Sequence, residues 1–204
     1  MEPQYSVAGD PILMTLRAGV GNPLILLNEV PHISYSEEVH GLRFEKYEIA
    51  LGSSNILNND FVVFRYADVL MMKAECLLRT GKADDAAAIV TQVRTRAFTR
   101  APEKAKVTGA ELLAGSVYDY GFRDESDTPN TYEGGTDIQY GRFLDELGWE
   151  FDQEGRRRQD MIRFGIFTTK SWFSHSPKGD YRVLFPIPRR ELEANLTLKQ
   201  NPGY

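Results

Sequence analysis

One cysteine, three histidines and no long apolar run set the first limits on this 204-residue chain. The lone Cys76 excludes an internal disulfide, and beside the apolar residues of its segment it is expected as a small, half-buried hydrophobe rather than a reactive thiol. His32, His40 and His175 have no metal-ligand spacing, and no His-Glu-x-x-His pair occurs, so neither a metal site nor a cofactor is expected. A Gly-x-Ser-x-Gly nucleophile elbow and a phosphate-cradling glycine loop are also missing. No apolar stretch reaches the ~20 residues of a membrane span. Residues 1–19 lack the basic-then-apolar layout of a signal peptide. Basic residues are in the minority, and a net charge of −5 speaks against nucleic acid, whose phosphates require a basic surface.

What the chain does have is an ordinary globular composition, 42% hydrophobic and 26% charged, and one strongly patterned stretch. From Phe64 to Phe98 the spacing predicts two antiparallel helices joined by a tight turn at Arg79-Thr80-Gly81-Lys82. Ala67, Leu70, Met71, Ala74, Leu77 and Leu78 share one face of the first helix, and Ala86, Ile89, Val90, Val93 and Ala97 share one face of the second. Gly81 supplies the left-handed residue that ends the first, and Asp84, Asp85, Arg94 and Arg96 follow the polarity of a helix dipole in the second. Small and large positions match one tetratricopeptide unit, but no second clear copy follows. Asp60, or a residue just after it, is the expected cap of the first helix.

Around this hairpin the pattern is looser. Residues 1–60, punctuated by Pro3, Pro11, Pro23 and Pro31, read as extended segments wrapped over a helical body, with Leu24–Leu27 and Leu42–Tyr47 as candidate strands. Thr108 and Glu111 have capping-box spacing and predict a short helix. Tyr118–Tyr140 is a long acidic, glycine-rich loop, whose carboxylates suggest calcium only weakly because the EF-hand register is missing. A third strong helix is predicted from about Gly141 to Gln153, with Phe143, Leu144, Leu147 and Phe151 on one side. Gly155 would end it, Arg157–Phe164 would continue at a new angle, and a short helical segment is expected at Arg190–Ala194. The fold class is therefore mainly α: a tetratricopeptide-like helical hairpin with long extended loops and few short strands. The expected organisation is a single domain over 1–204, divided into 1–60 (wrapping segments), 61–100 (hairpin) and 101–204 (loop-rich C-terminal subdomain).

Two sets of side chains invite a functional reading. Glu150, Glu154, Arg157, Asp160 and Arg163 resemble an acid–base constellation. Their spacings of three and four instead favour a structural charged cluster, with acids and arginines on one face locking the turn after Gly155, so no catalytic residue is assigned. Flat aromatic faces suited to sugar rings stand outside the predicted helices at Trp172, Tyr132 and Tyr35, with Phe173 and His175 beside the first, whereas Trp149, on the third helix, is expected to pack.

Three ordered stretches together resemble the C-terminal part of the SusD/RagB family. The first is the Arg65-Tyr66-Ala67-Asp68-Val69-Leu70 start of the hairpin. The second is Glu146, Glu150, Glu154-Gly155, Arg157, Asp160-Met161, Arg163 and Gly165. The third is Pro186-Ile187-Pro188 with Asn195 and Gln200-Asn201-Pro202-Gly203-Tyr204. Leu147, Phe151 and Leu196 depart from the family pattern. The resemblance implies part of a SusD-like α-helical fold in a non-enzymatic, outer-membrane, cell-surface lipoprotein that binds oligosaccharide or polysaccharide and works with a SusC-like TonB-dependent transporter. It also implies that an N-terminal part of the protein, with its signal peptide, lipid-anchor cysteine and most repeat helices, precedes Met1. A protein–protein scaffold that meets the transporter without binding sugar is the alternative, and a glycosidase is a third reading. The sugar-contacting residues of the family follow no fixed motif, so none is carried over.

Overall fold

A computed structural model describes residues 2–6, 8–30, 36–41, 46–47, 50, 52–53, 57, 59–121, 131–173 and 175–204. Among the described residues there are six α-helices: α1 Tyr66–Arg79, α2 Ala83–Thr95, α3 Gly109–Leu113, α4 Gly141–Glu150, α5 Arg157–Arg163 and α6 Arg189–Ala194. Short 3-10 turns lie at Arg17–Gly19, Pro102–Ala105 and Asp180–Val183. Among the described residues β-structure is confined to isolated bridges, so the fold is mainly helical, as the residue pattern predicts. The chain divides into two compact units. One comprises residues 1–61, 121–131 and 172–175; the other comprises 62–120, 132–171 and 176–204 and holds all six helices.

The helical unit is built on the hairpin. Lys82 N–H donates to Leu77 C=O (2.9 Å) and Gly81 N–H to Leu78 C=O (3.2 Å). With Gly81 at φ +79° this is a Schellman motif, which satisfies carbonyls that the end of α1 would leave bare. The inward faces then meet: Met71, Ala74 and Leu78 of α1 pack with Ala86, Ala87, Val90 and Val93 of α2, joined by Val107, Leu112, Phe143, Leu147 and Phe151. Ala74 and Ala86 are both fully buried, the small side chains letting the two backbones approach. Phe143 is fully buried at the centre, where truncation to alanine would cost about 3–5 kcal/mol.

The ends of the elements refine the reading of the sequence. The residue that caps α1 is Arg65, not Asp60, and Asp68, third in the helix, accepts the Arg65 backbone N–H at 2.8 Å. α3 carries the expected capping box: Thr108 N–H donates to the Glu111 carboxylate (2.6 Å) and Glu111 N–H to the Thr108 hydroxyl (3.2 Å). α4 stops at Glu150, three residues short of the predicted end. Phe151 closes it by donating to Leu147 C=O, and Gln153 (φ 62°) and Gly155 (φ 71°) then turn the chain through left-handed conformations into α5. Nor is α4 buried on one side only, because Asp145 and Glu146 are as deep as Phe143 and Leu144.

In the other unit the N-terminal segment folds back on itself without forming a sheet. Gln4 N–H bonds Leu24 C=O, Ile12 N–H bonds Gln4 C=O, Leu24 N–H bonds Ile12 C=O and Met14 N–H bonds Asn22 C=O, all within 2.8–2.9 Å. The bridges Tyr5–Pro11 and Leu13–Pro23 stay isolated. Each includes a proline, which has no N–H to extend a ladder. Leu24 and Leu26 are buried here, yet the Leu24–Leu27 run adds only an isolated parallel bridge from Leu27 to His40, with Leu27 N–H donating to Val39 C=O at 2.7 Å. Of the second candidate strand, Leu42–Glu45 lies outside the described residues.

Candidate functional site

The charged residues singled out in the sequence lie in the helical unit, but their partners come from farther along the chain than their spacing suggests. Arg65 reaches from the start of α1 to the end of α4. Its Nε and Nη2 donate to the two oxygens of Glu154 (2.8 and 2.7 Å), its Nη1 to Glu150 (2.5 Å) and its Nη2 to the Glu150 carbonyl (2.8 Å). The guanidinium also lies 4.9 Å from the centre of the Phe151 ring. Held between two carboxylates, first by its hydrogen bonds to Glu154, Arg65 has a pKa raised above the ordinary arginine value. Glu150 and Glu154 are only 11% and 5% exposed and face this arginine.

The expectation that these acids brace Arg157 and Arg163 across the turn is therefore corrected. Spacings of three and four imply a shared face only while the helix continues, and here it ends at Glu150. Arg157 pairs with no carboxylate among the described residues; its Nη1 donates to Leu144 C=O at 2.9 Å. Only Asp160 and Arg163 keep the local pairing, at 2.7 Å, and Arg163 also meets Glu75 of α1. Burial pushes the Asp160 carboxyl up, against the opposing pull of Arg163. Arg156, outside the cluster that the spacing suggests, pairs with Asp68 at the start of α1. Arg65, Asp68 and Glu75 were missed as partners, because nothing in local periodicity links residues 85 to 89 positions apart.

Two further knots explain the buried acids of α4. Arg94, near the end of α2, holds both oxygens of Glu146 (2.7 and 2.9 Å) and donates to the carbonyls of Lys104 and Ala105, each at 2.8 Å. Arg142, one turn before Glu146, is in ionic contact with the same carboxylate at 2.6 Å but outside hydrogen-bond geometry. Asp145 accepts from the Ser116 hydroxyl (2.7 Å) and Val117 N–H (2.8 Å). Burial raises its pKa, and those two hydrogen bonds oppose the rise. The i,i+4 spacing of Arg142 and Glu146 was a readable signal; the Ser116 and Arg94 contacts were not.

Of the aromatic candidates, Trp172 belongs to the first unit and Tyr132 to the helical unit. Trp172, in the first unit, exchanges backbone hydrogen bonds with His175 (3.1 and 2.8 Å), and the two rings stack with centroids 3.6 Å apart and planes 8° from parallel. The imidazole thus covers one face of the indole. Tyr132, in the helical unit, is exposed. Its neighbour Glu133 is tied down by Ser171 N–H (2.8 Å), and Lys170 donates to the Glu133 carbonyl (3.2 Å) and pairs with Asp137. Tyr35 lies outside the described residues, as do His32 and the Asp124, Glu125 and Asp127 carboxylates of the acidic loop. Two expectations are overturned. Trp149 is not packed away but 43% exposed, and Cys76 is exposed on the outer face of α1. No helix among the described residues is long and apolar enough to cross a membrane.

Comparison with known proteins adds a second line. The model of the SusD family matches residues 40–181. The chain is 30% identical over 156 residues to the starch-binding protein SusD of Bacteroides thetaiotaomicron, covering 72% of this chain and 22% of that protein. It is 30% identical over 154 residues to the SusD-like protein P25 of Formosa agariphila (70% of this chain, 24% of that protein). To the SusD-like protein P38 of the same organism it is 28% identical over 166 residues (80% and 28%). The chain thus spans about a quarter of the length of these curated relatives. The family match covers more than two thirds of the sequence and includes the hairpin, the arginine-bridged end of α4 and α5: this chain belongs to the SusD family.

Proposed function

We propose that the chain is the C-terminal part of a non-enzymatic glycan-binding component of a nutrient-uptake system, held at the cell surface of the outer membrane and working with a SusC-like TonB-dependent transporter. The observation that carries this reading is membership of the SusD family together with a relative named for starch binding. The geometry supports the non-enzymatic half of it. Glu150 and Glu154, the acids with the most catalytic look in the sequence, are turned onto Arg65 and hardly reach solvent, so they are assigned to bracing α1 against α4. Asp160 and Arg163 tie α5 to α1 through Glu75, and Arg157 ties it to α4; the same bracing role is proposed for them. Recognition falls to aromatic surface, with Trp172, Tyr132 and Tyr35 as candidates.

Isothermal calorimetry against maltoheptaose, cellohexaose, laminarihexaose and xylohexaose tests the proposal, with saturable binding of at least one expected. A folded sample that binds none would refute it. Release of reducing sugar that disappears on Glu154→Gln with the fold intact would overturn the non-enzymatic assignment. The scaffold reading is favoured by one feature, the apolar residues Tyr66, Val69 and Met72 exposed along α1. Co-purification with a large membrane partner in the absence of sugar, lost on Val69→Glu, would support it.

A further inference from the structure

The last turn of α4 carries an aromatic pair that the bracing of the helices does not require. Trp149 and Tyr118 lie 6.5 Å apart between ring centres at 65°, and the indole N–H donates to the Tyr118 hydroxyl at 2.6 Å. That bond uses the only donor of the indole and fixes the two rings as the walls of a corner. Arg142 lies over one indole face, 4.5 Å from its centre, so the exposure of Trp149 comes from its other face and rim. A pair serving only to pin the segment at Tyr118 to α4 would be largely covered; instead the residues stay 43% and 46% exposed.

These rings open onto a cleft of about 580 Å³, a size typical of small-molecule sites, in which polar groups accompany the apolar walls. Arg156 and Arg158 line it but are engaged elsewhere, the first with Asp68 and the second with the carbonyls of Arg182 and Val183. Arg157 has donors to spare: one bond to Leu144 C=O, a long one of 3.5 Å to the Tyr120 hydroxyl, and no carboxylate among the described residues. Gly148 allows this arrangement, since a side chain there would meet the Arg157 guanidinium at 2.9 Å. Asp152 and Gln153 add an exposed carboxylate and amide to the rim.

We infer that this cleft is an oligosaccharide subsite, in which the apolar face of a pyranose ring stacks on Trp149, with Tyr118 as the side wall and Arg157, Gln153 and Asp152 meeting the ring hydroxyls. The inference rests on the glycan-binding reading above and assigns that binding to residues other than Trp172 and Tyr132. The pairing of donors and acceptors on the rim suits neutral hydroxyls, which both give and accept hydrogen bonds.

The test is calorimetry of the chain and its variants against maltoheptaose, cellohexaose, laminarihexaose and xylohexaose, with circular dichroism as the control for folding. For whichever sugar binds, Trp149→Ala is expected to weaken affinity at least about five-fold, the loss expected from removing an aromatic stack. Trp149→Phe, which keeps a flat ring, should recover most of it. Should Trp149→Ala fail to fold, Tyr118→Ala and Arg157→Gln are read by the same measure. Binding that survives Trp149→Ala and Tyr118→Ala within five-fold overturns the subsite while leaving the glycan-binding function standing. A folded parent that binds none of the four sugars refutes both.

Discussion

Replacing Arg65 by methionine isolates the interaction that joins the first helix to the fourth. Methionine keeps an unbranched apolar stem and deletes the guanidinium, and with it the contact over Phe151, three hydrogen bonds to carboxylate oxygens and one to a carbonyl. The cost depends on how dry the pair is. Were it a surface ion pair, the loss would stay below about 1 kcal/mol. With Glu154 only 5% exposed and Glu150 11%, the substitution instead strands carboxylates away from water, a situation that costs about 3–5 kcal/mol. Two features pull toward the lower figure: Arg65 itself is 25% exposed, and Arg96 still reaches Glu150 at 3.0 Å. The expected loss is about 3 kcal/mol, equivalent to roughly 6–12 °C in Tm for a chain of this size. Urea denaturation followed by circular dichroism measures it, and a cycle with Glu154→Gln separates the pair from its surroundings. The double variant should be more stable than the two single losses added together, by about 1.5–3 kcal/mol, because each single change leaves the other partner stranded. A loss under about 1 kcal/mol for Arg65→Met, or simple additivity in the cycle, would refute the claim that this arginine braces the helices.

Three further outcomes follow from the geometry. Gly81→Ala should cost about 1–2 kcal/mol in denaturant titrations, wholly from the left-handed backbone at φ +79°, since a methyl group there meets nothing within 4 Å. Thr108→Ala should cost about 1 kcal/mol. It should also return the Glu111 carboxyl, now held below its ordinary value by its hydrogen bonds to Thr108, toward normal. A lowered folded-state pKa means this stabilisation is present above the ordinary value of 4.5 and disappears as pH falls through the folded one, so the variant should lose less stability on acidification. Asp145 runs the other way. Its raised pKa means the folded protein binds a proton more readily than the unfolded chain, so its contribution falls as pH climbs from 3.8 through the raised value; Asp145→Asn should flatten that slope in stability curves measured across pH.

Much of the helical unit was legible because it is local. The faces of α1 and α2, the stop at Gly81 and the Thr108–Glu111 box depend on residues three or four apart, where the geometry of a helix turns spacing directly into contact. The same rule misled at the end of α4. Glu150, Glu154 and Arg157 keep helical intervals, but Phe151 is drawn into the core and Gln153 takes a left-handed conformation, so the face that the intervals imply is never formed. The true partner of both acids, Arg65, is set by tertiary packing. The exposure of Trp149 was hidden for a related reason: it sits on a helix with most of its residues buried, yet its ring lines the cleft beside Tyr118. The first unit was the least readable, its proline bridges being too short to impose a period.

The reach of Arg65 also has a bearing on time. The α1–α2 hairpin can close as soon as Thr95 is made, whereas Glu150 and Glu154, the acids that clasp Arg65, lie 55 and 59 residues beyond Thr95. At ordinary synthesis rates of 5–20 residues per second they follow roughly 3–12 s later. A nascent chain therefore spends seconds with a finished hairpin whose inner face and cationic head group are still waiting for the fourth helix, and it is over that interval that a holdase would find it.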